Sequence, residues 1–251
     1  MAHVSQSSYT PAPSATAVLA LIVAWFALLA AFYLHPSLDV EVSSFFFAGP
    51  LCEAALPDFV CGYFPLRRLQ VVEHVRQILY VLPFAAAALI VVVGASGVLS
   101  TEIRKRIPMG RLVVAIISLC LGPGLIVNGF LKAYSGRPRP VQTSLFGGPF
   151  DFEAAGTFVG ECAKNCSFVS GEASGAGWLL CLLFLLPSRI RLWVGPPLVA
   201  GSLTMAGLRV AVGSHYASDA LLGWLLAIIL FMALLIVEAR IADKLKVGWP
   251  R

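Results

Sequence analysis

The sequence predicts an all-α integral membrane protein, a bundle of six spanning helices with a polar site at one membrane face. Three observations predict it. The chain is 59% hydrophobic and only 12% charged, with a mean hydropathy of +0.86, where soluble domains are roughly 45–50% apolar and about 25% charged. Apolar runs recur along it, each about long enough to cross a hydrocarbon core of roughly 30 Å at about 1.5 Å per residue. The remaining polar residues gather in the connections between those runs. The net charge of +5 therefore does not point to nucleic acid, and no such partner is expected, because basic residues distribute among membrane loops.

Residues 1–14 are polar and rich in Pro, Ser and Thr, and read as a disordered N-terminal tail. Ala15–Leu34 is the first apolar run. It is too long for a signal-peptide core and no Lys or Arg precedes it, so it reads as an uncleaved spanning helix. A long connection, 36–77, holds the cluster Phe45–Phe46–Phe47, the pair Cys52 and Cys61, and the basic amphipathic stretch LRRLQVVEHVRQ from Leu66. That stretch suits an interfacial helix or an extension of the next span. Further spans are expected at Ile78–Leu99, Leu112–Leu131, Val169–Leu186, Leu192–Val212 and Tyr216–Val237. These make one membrane domain over 15–240, followed by a basic tail over 241–251.

Six spans place both termini on one side. Connections 100–111 and 187–191 and the C-terminal tail hold Arg104, Lys105, Arg106, Arg111, Arg189, Arg191, Arg240, Lys244, Lys246 and Arg251. Short, densely positive loops are cytoplasmic. Cys52, Cys61, Cys162 and Cys166 then fall on the outer side, where thiols can oxidise. Local pairing, Cys52 with Cys61 and Cys162 with Cys166, is the simplest of the three connectivities that four cysteines allow. A zinc site is the weaker alternative, since the spacings do not fit one and no histidine accompanies them.

Three stretches on that outer side carry the chemistry. RVAVGSHYASD runs from Arg209 to Asp219 and places His215 and Asp219 four residues apart, on one face of a helix. A carboxylate there can orient an imidazole and stabilise positive charge on it. KAYSGRPRP places Lys132 and Arg139 where the third span ends. In CSFVSGEAS, Ser170 and Gly171 bring a hydroxyl and an unhindered N–H to a helix N-terminus, a ready anion site. Singly, each has an ordinary structural explanation: an ion pair, a snorkelling collar, an N-cap. Together they form a cationic pocket around a candidate nucleophile, the requirement of phosphoryl transfer without a metal.

These three stretches resemble the signature of the type-2 phosphatidic acid phosphatases, membrane lipid phosphatases related in their site to vanadium haloperoxidases. The resemblance covers roughly residues 112–237. It implies that Lys132, Arg139 and Arg209 hold the phosphate with Ser170 and the Gly171 amide assisting, that His215 forms a phosphohistidine, and that Asp219 orients it. It implies no metal or other cofactor, and a site facing the periplasm in a multi-pass protein of a bacterial inner membrane, with both termini cytoplasmic. The partners implied are a phosphorylated membrane lipid and the bilayer.

Two departures stand out. The family usually reads Pro-Ser-Gly-His in the second stretch, whereas Val169, Ser170, Gly171 and Glu172 stand here. The family's usual Ser before the third-stretch arginine is also replaced, by Leu208. The missing histidine is the one that protonates the leaving oxygen. Glu172 either takes that role as a protonated acid or is a structural carboxylate aligning Arg139 or Arg209, and His74 is the other candidate donor.

A lipid phosphatase is the leading expectation. A lipid phosphotransferase and a non-catalytic phospholipid-binding or transport protein are the alternatives; retention of both His215 and Asp219 argues against the last. The outer-side cations Arg67, Arg68, Arg76 and Arg137 either hold the connection to anionic lipids of the membrane surface or suit a head group with more than one phosphate or acidic sugar, which favours lipid A or an isoprenoid pyrophosphate over phosphatidic acid.

Overall fold

Helices account for the architecture, and among the described residues the only bridges are isolated pairs, Ala48 with Tyr63 and Thr143 with Phe150. The computed structural model describes residues 11–52, 61–105 and 107–247, and side chains only to 245 at the C-terminal end. Residues 1–10 of the expected tail, Arg106, the Lys246 side chain and Arg251 lie outside the described residues. Helix α1 covers Ala15–Leu34, with the Ser14 hydroxyl accepting from the Ala17 N–H at 3.1 Å. It stops before Pro36, which disfavours helical backbone in the residue preceding it. Helix α2 covers Ser37–Phe45.

Helix α3 runs over Gln70–Leu99, preceded by a 3-10 turn at Pro65–Arg68. The basic stretch from Leu66 is therefore mostly an extension of the span rather than a separate interfacial helix. Helix α4 is continuous over Met109–Tyr134. From Cys120 to Leu131 it is wound as π-helix, with Pro123 inside the stretch. Proline lacks an N–H and crowds the preceding turn, so the ladder widens around it. The Asn128 side chain donates to the Pro123 carbonyl at 2.6 Å.

Helix α5 covers Gly171–Leu185, α6 Ser188–Ala211 and α7 Ala217–Val247. Pro196 and Pro197 sit well inside α6, because that helix begins at Ser188. Among the described residues four helices, α1, α3, α4 and α7, are long and apolar enough to cross a membrane. Helix α5 is too short by that measure, and α6 is long but carries polar residues at both ends and small ones along its middle.

Helix α5 is the axis of packing. Ala173 to Leu179 are all buried, and α5 packs most closely on α7 and α6. Small residues permit the approach: a methyl at Gly177 would collide with the Trp224 carbonyl oxygen on α7. Polar bonds pin the rest. The Trp178 indole donates to the Ala115 carbonyl at 2.8 Å, the Ser202 hydroxyl to the Ala176 carbonyl at 2.8 Å, and the Trp224 indole to Ser202 at 2.8 Å. Outward faces are apolar instead: Leu19, Val23 and Phe26 of α1 are each 60% exposed. Inside a bilayer such faces meet lipid tails, so the polar contacts are turned inward.

Cys52 joins Cys61 with Cα atoms 5.0 Å apart, and Cys162 joins Cys166 at 5.7 Å. Cys120 and Cys181 are free.

Candidate functional site

The turn between α6 and α7 builds the centre of the site. Helix α6 ends at Ala211, and Gly213 takes a left-handed φ of 64° that reverses the chain. The Arg209 carbonyl then accepts both the Ser214 N–H at 3.1 Å and the His215 N–H at 3.0 Å. The interval between the arginine and the histidine is thus fixed by backbone bonds. Helix α7 opens at Ala217, and the Asp219 carboxylate reaches back to accept the Tyr216 N–H at 3.0 Å. That half of a capping box explains the interval from His215 to Asp219.

His215 is 1% exposed. Its Nδ1 lies 2.8 Å from the Ser167 carbonyl oxygen. A carbonyl only accepts, so Nδ1 carries the proton and Nε2 keeps its lone pair. Burial pushes the imidazole down to about 4, against the pull of Asp219. The ring is accordingly neutral near pH 7, as a nucleophile must be. Asp219 stands 3.9 Å from Nδ1. The Ser167 hydroxyl bridges the two, donating to Asp219 at 2.5 Å and lying 3.4 Å from Nδ1.

Beneath Asp219 lies a network that the sequence does not announce. Arg137 has no exposed surface and donates to Asp219 at 2.7 Å, Asp39 at 2.7 Å, the Ser218 hydroxyl at 2.8 Å and the Glu153 carbonyl at 2.9 Å. Asp39 also accepts the Ser218 N–H at 2.9 Å, satisfying a second free donor of the first turn of α7. The sequence places Arg137 among the outward cations that meet a head group. The structure instead encloses it between two carboxylates, because two buried negative charges need a cation between them. Nothing in local periodicity pairs Asp39 with Arg137; their separation in sequence hides the contact.

Above His215 opens a cleft of about 760 Å³. Lys132, Arg139, Gly171, Glu172, Arg209 and His215 all line it, as does Arg76. Asn165, at a left-handed φ of 52° within the Cys162–Cys166 loop, sets two of the cations. Its side-chain oxygen accepts from Lys132 Nζ at 3.2 Å, and its backbone oxygen accepts from Arg139 Nη2 at 3.1 Å. The far end of the cleft is apolar, walled by Leu79, Tyr80, Pro83, Phe84 and Leu119. One cleft therefore joins a cationic floor to a greasy channel between α3, α4 and α5.

Ser170 and Asp219 stand behind this wall. The Ser170 hydroxyl is buried and accepts from the Ala173 N–H at 3.3 Å as the N-cap of α5, while its own N–H donates to the Asp219 carbonyl at 2.9 Å. Gly171 faces the cleft, and a methyl there would stand 2.7 Å from the Asn128 side-chain oxygen.

Glu172 is held by cations. Arg76 Nη1 donates to its two oxygens at 3.1 and 3.0 Å, and Arg209 Nη2 lies 3.5 Å away. Arg76 also grips Glu73 through Nε and Nη2 at 2.8 and 2.6 Å. His74 is exposed on α3 and does not line the cleft. Arg68 stacks on Tyr63 with 4.1 Å to the ring centroid. Arg209 is 6% exposed, and its Nε has no hydrogen-bond partner.

A family model described as the PAP2 superfamily matches residues 111–242. A protein of Rhizobium leguminosarum named lipid A 4'-phosphatase is 42% identical over 217 residues, spanning 84% of this chain and 91% of the relative. A Rhizobium etli protein of the same name is 42% identical over 225 residues, spanning 87% and 86%. Among solved structures, that of the first transmembrane PAP2-type phosphatidylglycerolphosphate phosphatase from Bacillus subtilis superposes with a TM-score of 0.58. It covers 89% of this chain and 96% of that one at 19% identity, a likeness of fold.

Proposed function

The chain belongs to the PAP2 superfamily, a family of phosphatases, and from that premise we propose that it removes a phosphate from lipid A or a closely similar glycolipid through a phosphohistidine on His215. The observation that carries the reading is the buried imidazole of His215, its Nδ1 2.8 Å from the Ser167 carbonyl oxygen and its ring lining a cleft that Lys132, Arg139 and Arg209 also line.

In this reading the acyl part of the substrate lies along the apolar end of the cleft and the phosphate rests on the cations. His215 Nε2 attacks phosphorus in line with the leaving oxygen. The three cations match the charge on the equatorial oxygens, which is where rate is gained. Asp219, steadied by Arg137 and Ser167, stabilises the positive ring that forms. Water then attacks the phosphohistidine, releasing inorganic phosphate and restoring Nε2. No step is assigned to a metal.

Glu172 is given the structural role. Its two oxygens accept from Arg76 and face Arg209, so it positions cations rather than delivering a proton. The leaving oxygen departs against the cationic wall and takes its proton from water, and the water that later attacks phosphorus returns a proton to solvent. The favoured substrate is lipid A rather than an isoprenoid pyrophosphate, on the names of the two Rhizobium relatives.

Residues 15–240 form one membrane domain of six spans, with α5 and α6 crossing as part of the packed bundle. Both termini face the cytoplasm and the cleft opens at the periplasmic side of a bacterial inner membrane. The two cysteine pairs suit that oxidising face.

Purified protein in detergent should release phosphate from lipid A in the presence of a chelator and be inhibited by vanadate, which resembles the five-coordinate transition state. The His215→Ala variant should release none. Activity restored only by a divalent cation, or an active His215→Ala variant, overturns the reading.

A further inference from the structure

Behind the cationic wall lies a second cavity of about 410 Å³. Arg76, Arg139 and Arg209 form the partition, each lining both cavities. Arg67, Glu73 and Ser214 line the second cavity alone. The three partition arginines are already engaged: Arg76 by two carboxylates, Arg139 by Asn165, Arg209 by Glu172.

Arg67 is different. It is exposed, and among the described residues its side chain makes one weak hydrogen bond, Nη1 to the Val212 carbonyl at 3.5 Å. Among the described residues it forms no ion pair. Burial pushes the Arg139 guanidinium down from its ordinary value, Glu172 opposing and Arg67 adding to the push. Two like charges brought together across a cavity are unfavourable unless an anion sits between them. The orphaned Nε of Arg209, buried in the same partition, is a second donor without an acceptor.

Resting on the phosphatase reading, we propose that this second cavity binds a second anionic group of the substrate, one that the product keeps, with Arg67 as its ligand. The first cavity takes the phosphate that is removed. A head group carrying two phosphates, or a phosphate and a carboxylate, fills both. The enzyme thereby selects doubly anionic head groups over lipids with a lone phosphate.

The test uses full-length protein in zwitterionic bilayers and two synthetic glycolipids. One carries two phosphomonoesters, the other only the scissile one. Wild-type protein should show a higher kcat/KM on the first. Arg67→Ala should lower the ratio of the two kcat/KM values by about 10- to 100-fold, the scale of one charged hydrogen bond. Arg67→Lys should keep the ratio within about threefold of wild type, since the second group is met chiefly as a charge.

An equal loss of Arg67→Ala on both lipids makes Arg67 structural and overturns the proposal. So does a loss that depends on adding anionic lipid to the bilayer, which assigns Arg67 to the membrane surface. If wild-type protein releases phosphate from neither glycolipid, the phosphatase reading fails and the subsite falls with it.

Discussion

Arg137 is the sharpest test of how His215, the proposed nucleophile, is supported. Its guanidinium is fully enclosed and makes four hydrogen bonds, two of them to the carboxylates of Asp39 and Asp219 at 2.7 Å. Arg137→Ala leaves two buried carboxylates facing each other with no cation between them. Removing one member of a buried ion pair costs about 3–5 kcal/mol. For a chain of this size each kcal/mol moves Tm by roughly 2–4 °C, so a fall of about 6–20 °C is expected. Arg137→Lys keeps the charge, but an ammonium has three donors and no fork. It forfeits at least one charge-assisted bond of about 1.5–3 kcal/mol, so Tm should fall by about 3–12 °C. Thermal unfolding in detergent measures both variants. Phosphate release is then assayed well below each variant's own Tm. There kcat should fall further in Arg137→Ala than in Arg137→Lys, because Asp219 loses the group that fixes its orientation beside His215. Arg137→Ala with Tm within about 2 °C of wild type and unchanged kcat would refute the reasoning.

Two other outcomes follow from the same geometry. Glu172→Gln should lose activity by a similar factor on alkyl and aryl phosphates, because the carboxylate aligns Arg76 and Arg209; a large loss confined to alkyl phosphates would make it the proton donor. His215, pushed by burial to about 4 from an ordinary 6.5, makes the fold acid-sensitive. Between those values the unfolded imidazole binds a proton that the folded one refuses, so stability is full above about pH 6.5 and declines toward pH 4, by about 3 kcal/mol. Over that window Tm should fall less in His215→Gln than in wild type, and equal falls would contradict the burial argument.

The stretches that line the candidate site were legible in the sequence because each is a local device. The intervals from Arg209 to His215 and from His215 to Asp219 are set by one helical turn at each end of a hairpin. Lys132 and Arg139 share one helix end and the loop after it. What could not be read was whatever depends on pairs distant in the chain. Asp39 meets Ser218 and Arg137 only after α2 packs beside α7, and Asn165 becomes an anchor only through its left-handed backbone in the Cys162–Cys166 loop. The same limit misplaced Arg137, whose charge suggested exposure while its partners lay elsewhere. Span counting met a different obstacle. Six spans were expected, whereas among the described residues four helices are long and apolar enough to cross a membrane; α5 and α6 fall short of that measure, being short or carrying small and polar residues where they pack on protein.

The double acceptance by the Arg209 carbonyl has a consequence for how this hairpin can vary. A contact between side chains tolerates slippage, since a long side chain can reach. Here the main chain is the gauge, and it counts residues. Substitutions other than proline between 210 and 214 keep these backbone bonds, although Val210, Ala211, Val212 and Ser214 are buried and accept little change in size; at Gly213 the left-handed backbone strains any other residue, and an added methyl would meet the Phe64 ring at 2.6 Å. One inserted or deleted residue, by contrast, takes the His215 N–H off its acceptor and turns the imidazole away from the cleft. Burial limits which side chains this segment can carry, and the main chain fixes how many residues it can have.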